Sequence, residues 1–235
     1  MANGRTLSRI IRGIVYFPKT LWINMKILPL REAIRLPIIV MGHCSFRGIK
    51  SGNLVIDAPV KPSMIHIAAQ KSSKRGVGTN SRAAILIDQG GKIVFHGRAS
   101  IGAGSSLCAH GGSIDLGDRF SCNVNCFLYS SIGISCGKDV LLGWNVSIRD
   151  NDGHPIYDAE GRQLNKDQEI KIGDHTWIAS HADILQGVHL AEGTIAGTRS
   201  VVTRSVEQKN CIIAGVPARV IKQNVHWNHN LTSDD

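Results

Sequence analysis

Aliphatic or small residues return every six positions through the middle of this chain, and that step limits its fold more than any other feature. One run holds Leu116, Cys122, Leu128, Ile134, Val140 and Val146. A second holds Ile172, Ile178, Ile184, Leu190, Ala196 and Val202. Ile87 to Ile93 and Ile101 to Leu107 keep the same step, with slips between them. A period of six is not the 3.6 of an α-helix, and the alternation of a simple strand explains only part of it. It fits a solenoid in which a strand, a turn and the next strand lie on successive faces. Three such sides predict a triangular coil of about 18 residues, with successive coils stacked as parallel strands about 4.8 Å apart. The aliphatic residue faces the narrow axis, and the Gly, Ala, Ser, Asn, Asp and Thr between make the corners. The 25 glycines and an aromatic share of only 5% suit such corners and such an axis.

The two runs do not join. Continued by sixes from Val146 the first reaches Ile170, whereas the second starts at Ile172. Between them residues 149–168 are polar and turn-rich, and read as a loop thrown out from one corner of a rigid scaffold. Within it Asp152-Gly153-His154-Pro155 sets a histidine between a glycine and a proline. The proline restricts the backbone of His154 towards extended conformations. Asp150 and Asp152 are candidates to accept from its second ring nitrogen, which would fix the tautomer and raise basicity.

Ile101-Gly-Ala-Gly-Ser105 and Ile172-Gly-Asp-His-Thr176 match the hexapeptide-repeat motif, and the chain resembles the left-handed β-helix acyltransferases. The Gly-His-Pro triplet and the Ile-Gly-Asp-His-x-Trp-Ile restart are similar to those of galactoside, maltose and capsular-polysaccharide O-acetyltransferases. The resemblance covers about residues 85–225 and implies an all-β solenoid, a left-handed parallel β-helix with a short helical N-terminal segment and a C-terminal tail. It implies His154 as general base, and an asparagine about thirty residues upstream to hold the acceptor hydroxyl. Asn123 is the favoured match, with Asn125 left open, and both also read as rungs of a corner ladder. The final coils resemble the family's coenzyme A site. By that resemblance Ser180, Thr198 and Thr203 lie along the pantetheine arm, and Arg204, Arg219 and Lys222 near the phosphates. Thr198-Arg199-Ser200 departs from the usual Ala-Gly-Ser, which leaves acetyl and larger acyl donors both open. The family also implies a homotrimer whose sites lie between prisms. The function expected is acetyl transfer from acetyl-CoA to a sugar hydroxyl in bacterial surface polysaccharide synthesis, with no metal required. N-acetylation of an amino sugar or amino acid, or a non-catalytic scaffold, are the alternatives.

The formal charge of +9 is concentrated at one end: residues 1–50 hold nine Lys/Arg against Glu32 alone. That segment, 1–50, is expected to precede a β-helix domain over 51–206 carrying the loop at 149–171, followed by an extension at 207–235 with a frayed tail from 223. Leu7, Ile10, Ile11, Ile14 and Val15 recur at helical spacing with Arg5, Arg9 and Arg12 opposite, predicting a basic amphipathic helix. Such a helix either caps the coil or lets residues 1–20 lie on an anionic membrane. A glycan acceptor, and no nucleic acid, is the partner expected. The six cysteines show no CxxC pair and read as small buried residues, and neither a signal peptide nor a spanning run is evident, so a cytoplasmic location is expected. His175 and His181, six apart, lack an obvious third ligand for the zinc of a γ-type carbonic anhydrase.

Overall fold

In the computed structural model, which describes residues 2–69 and 81–229, with side chains from residue 13, the chain winds as a parallel β-helix of three faces. Among the described residues, face A runs from Ile38–Val40 to Ala218–Gln223, face B from Cys44–Arg47 to Val201–Val202, and face C from Leu54–Ile56 to His189–Leu190. Strands of one face are neighbours in space but one full coil apart in sequence. The coil already starts at Ile38, and among the described strands only the last, Ala218–Gln223, runs antiparallel to its neighbour.

The aliphatic positions stack as the six-residue step requires. Ile101, Cys122, Leu142, Ile178 and Ala196 form one buried column on face A, and Leu107, Leu128, Ile148, Ile184 and Val202 another on face B. Each buried Leu, Ile or Val contributes about 1.5–3 kcal/mol, so the axis is the main source of stability.

The expected coil length holds only in the final coils. After residue 172 one turn takes 18 residues, with Ile172 beside Leu190 and Ile178 beside Ala196. Before it, Leu116 lies beside Cys136 and Cys122 beside Leu142, a turn of 20. The extra residues fall at the corner between faces B and C, at Asp88-Gln89-Gly90-Gly91, Ala109-His110-Gly111-Gly112 and Ser130-Ser131-Ile132. Each side has two inward positions two residues apart: Ile134 pairs with Ile170 and Cys136 with Ile172, and all four are buried. The two runs are therefore both inward-facing, and the mismatch between them is a change of position within one side.

Helix α1 (Ala2–Ile27) covers the open edge of the first strand. Asn24 accepts from the Ile38 N–H and donates to the Ile38 carbonyl, and the Thr20 hydroxyl accepts from the Val40 N–H. With Ile23 and Ile27 buried beneath, this satisfies backbone groups that an uncovered edge would expose. The capping is thus made by Thr20 to Ile27. Of the predicted amphipathic residues, Ile14 and Val15 are exposed, while the side chains of Arg5, Leu7, Arg9, Ile10, Ile11 and Arg12 lie outside the described residues.

The structure corrects the expectation of a frayed tail. Trp227 is buried and stacks on His175 with ring centroids 4.4 Å apart. Its indole N–H donates to the His175 carbonyl at 2.9 Å, and His229 reaches Asp139 at 3.0 Å. An indole provides enough apolar area to hold a segment that composition alone marks as polar. Residues 230–235 lie outside the described residues. The six cysteines are buried and free, and burial pushes the Cys44 and Cys136 thiols up to about 12.

Candidate active site

The loop leaves face B after Ser147–Arg149 and rejoins face C at Ile170–Ile172, at the same corner that carries the extra residues in the coils below. Its base is tied by the Gln168 N–H to the Asp150 carbonyl at 3.1 Å. Its outer part is a small hairpin. Tyr157 bridges Gln163, the Leu164 N–H donates to the Ile156 carbonyl, and Asp158 accepts from the Arg162 N–H and guanidinium.

His154 is exposed. Its carbonyl accepts from the Asn165 amide at 2.8 Å; the same amide nitrogen donates to Asp152, and the Asn165 oxygen accepts from the Ile156 N–H. Gln186, on the next coil, also donates to Asp152. The histidine therefore projects from a backbone clamped on both sides. Sequence reasoning missed Asn165 and Gln186, because one amide in a polar loop looks like any other.

The expected pairing of the imidazole with Asp150 or Asp152 is not formed among the described residues. Asp150 is fully buried and accepts from the Ser130 hydroxyl and from the N–H groups of Ser131, Ile132 and Gly133. Burial pushes this carboxyl up, but the hydrogen bonds from Ser131, Asn151, Ile132 and Ser130 outweigh it and hold it below the usual carboxylate range. Asp150 thus shapes the corner on which the loop stands. Asp152 is occupied by Asn165 and Gln186.

Beside His154 lies a hollow of about 440 Å³ bounded by His110, Tyr129, Ser131, Tyr157 and Asn165. His110 is held by Asp88 at 2.8 Å and stacks on Tyr129 with centroids 6.0 Å apart. An aromatic face with hydroxyl, imidazole and amide groups around it suits a polar, ring-shaped ligand. The extra corner residues supply much of this wall. His110 and Ser131 come from two successive insertions, and Asp88 behind them from the one before.

The other predicted residues occupy other corners. Asn123 and Asn125 turn the chain from face A to face B, and neither lines the hollow. Asn125 has a φ of 59°, which fits the corner-ladder reading, and Asn145 occupies the same corner one coil on with a φ of 55°. Ser180 and Thr198 lie at this same A–B corner on later coils, where the Ser180 hydroxyl accepts from the Trp144 N–H. Thr203 and Arg204 are exposed at the B–C corner. Arg219 and Lys222 are exposed on the last strand beside exposed Val220 and Ile221. The predicted donor residues thus divide between two corners and the last strand. Arg199, beside Thr198, is exposed at the A–B corner. His175 meets Asp139 at 2.7 Å and stacks on Trp227, while His181 meets Asn145 at another corner.

No family model matches the chain. It is 31% identical over 198 residues to an uncharacterized 24.8 kDa protein in the cps region of Klebsiella pneumoniae, a match covering 78% of this chain and 85% of that protein. It is 32% identical over 120 residues to the galactoside O-acetyltransferase of Escherichia coli K12, covering 49% of this chain and 56% of that enzyme. The chain belongs to the hexapeptide-repeat acetyltransferase family. Among solved structures, the polysialic acid-specific acetyltransferase NeuO superposes with a TM-score of 0.59 at 20% identity, covering 84% of this chain and 92% of that one. That likeness concerns the fold. The galactoside acetyltransferase match takes in little more than half of the relative's length.

Proposed function

We propose that this protein transfers an acetyl group from acetyl-CoA to a hydroxyl of a sugar or glycan, with His154 as general base. The observation that carries the reading is the clamped loop, which holds an exposed imidazole at the rim of a hollow walled by Tyr129, His110 and Ser131. Acetyl-CoA supplies an acyl carbon already activated as a thioester. A sugar hydroxyl is a weak nucleophile near neutrality, and an imidazole takes its proton as the oxygen attacks. The new C–O bond replaces the C–S bond, and the imidazolium returns the proton to the departing thiolate. This route needs no acyl-enzyme.

The donor fits the final coils, with Ser180 and Thr198 along its arm and Arg219 and Lys222 towards its phosphates. Asn123 is proposed to meet the acceptor hydroxyl. His154 and these residues stand at different corners of one prism, which supports a site completed between copies of the chain, in a homotrimer. The loop hairpin agrees: Ile156 and Leu164 are 54% and 65% exposed, an apolar tip suited to a neighbouring copy.

The test follows free thiol release from acetyl-CoA against a panel of galactosides, maltose and sialic acid oligomers. An acceptor is expected to accelerate release, and His154→Ala to lower turnover at least about 10²-fold with the fold intact by circular dichroism. Unchanged turnover removes His154 from the mechanism.

A further inference from the structure

Helix α1 is apolar on the side that faces away from the coil as well as on the side that packs. Thr20, Ile23, Asn24 and Ile27 are buried, while on the opposite face Ile14, Leu21 and Met25 are 70%, 41% and 47% exposed. Trp22, on the flank of this outer stripe, is also exposed, with Lys26 over its ring at 5.8 Å. A solvated helix normally carries polar residues there.

Next to the stripe is a hollow of about 370 Å³ bounded by Lys19, Trp22, His43, Phe46, Arg47 and Arg82. Its lining holds three permanent cations and no acidic residue. The Lys19 ammonium donates to the Cys44 carbonyl at 2.6 Å, which fixes its place in the wall. Exposed Arg31 and Arg35 follow further along the chain, and Glu32 is the only acid in the first 50 residues. An apolar stripe would be covered by any apolar surface, but the ring of cations selects one that is anionic as well.

We propose that the outer face of α1 lies in the interface of an anionic lipid bilayer, with Ile14, Leu21, Trp22 and Met25 among the upper acyl chains. Lys19, Arg47 and Arg82 take a phosphate headgroup in the hollow beside them. The binding is peripheral, because among the described residues no helix is long and apolar enough to cross a membrane. Two signals are combined, apolar insertion and charge, and neither alone holds a protein firmly. This inference does not depend on acetyl transfer.

The test is co-sedimentation of the full chain with phosphatidylcholine vesicles, with and without phosphatidylglycerol. Pelleting only with phosphatidylglycerol is expected. Arg47→Glu with Arg82→Glu is expected to weaken it by at least roughly five-fold per cation removed, and Leu21→Glu with Met25→Glu to abolish it. These four side chains are exposed, and circular dichroism checks that the variants fold. No pelleting, or equal pelleting with neutral vesicles, overturns the proposal. So does loss of binding in millimolar inorganic phosphate with the Leu21 and Met25 changes silent, which marks a simple anion site. A change in solution mass on Leu21→Glu with Met25→Glu would assign the face to a second copy instead.

Discussion

At the scale of single residues, the corner beneath the loop depends on Asp150. Its carboxylate gathers the part-buried N–H groups of Ser131, Ile132 and Gly133, which a wider corner would otherwise leave without a protein partner. Asp150→Asn keeps the shape but removes the charge, and is expected to cost about 1.5–3 kcal/mol near neutrality. The sign follows from the depressed carboxyl. Its contribution is complete above the unfolded value of about 3.9 and is lost as pH falls through the lower folded value. Thermal melts of both proteins across pH should therefore differ at pH 7 and converge in acid. A constant difference would show that the charge is not what matters. His154 was legible from its Gly-His-Pro setting; Asp150 was legible only as an acid near it, since its true partners are 17–20 positions upstream.

At the scale of elements, the six-residue step foretold strands, faces and core positions, because burial of aliphatic side chains fixes all three. It hid the wider corners. With two inward positions on each side, Ile134 and Cys136 both satisfy the pattern, so two added residues leave no gap in it. Trp227 was hidden for another reason: one indole in a polar segment has no period to betray it. The loop hairpin makes a prediction at this scale. Ile156→Glu with Leu164→Glu places charge on an exposed tip and should leave the monomer's stability nearly unchanged. By light scattering it should shift the assembly towards monomers. An unaltered mass would separate the hairpin from any interface between copies.

At the scale of the molecule, a β-helix is a rigid post with flat faces, and its chemistry must gather at corners and loops. One corner holds His154 and the hollow, and another holds Asn123, Ser180 and Thr198. In the proposed reading, a second copy of the chain brings the two corners together. The most direct measurement mixes two variants, His154→Ala and Thr198→Trp, each expected to be inactive alone because one lacks the base and the other blocks the donor's path. After the chains are dissociated and reassembled together, about a quarter of the shared sites draw an intact half from each variant. Acetyl transfer should return to about that fraction of the wild-type rate. A mixture as inactive as its parents would contradict a site built from two copies.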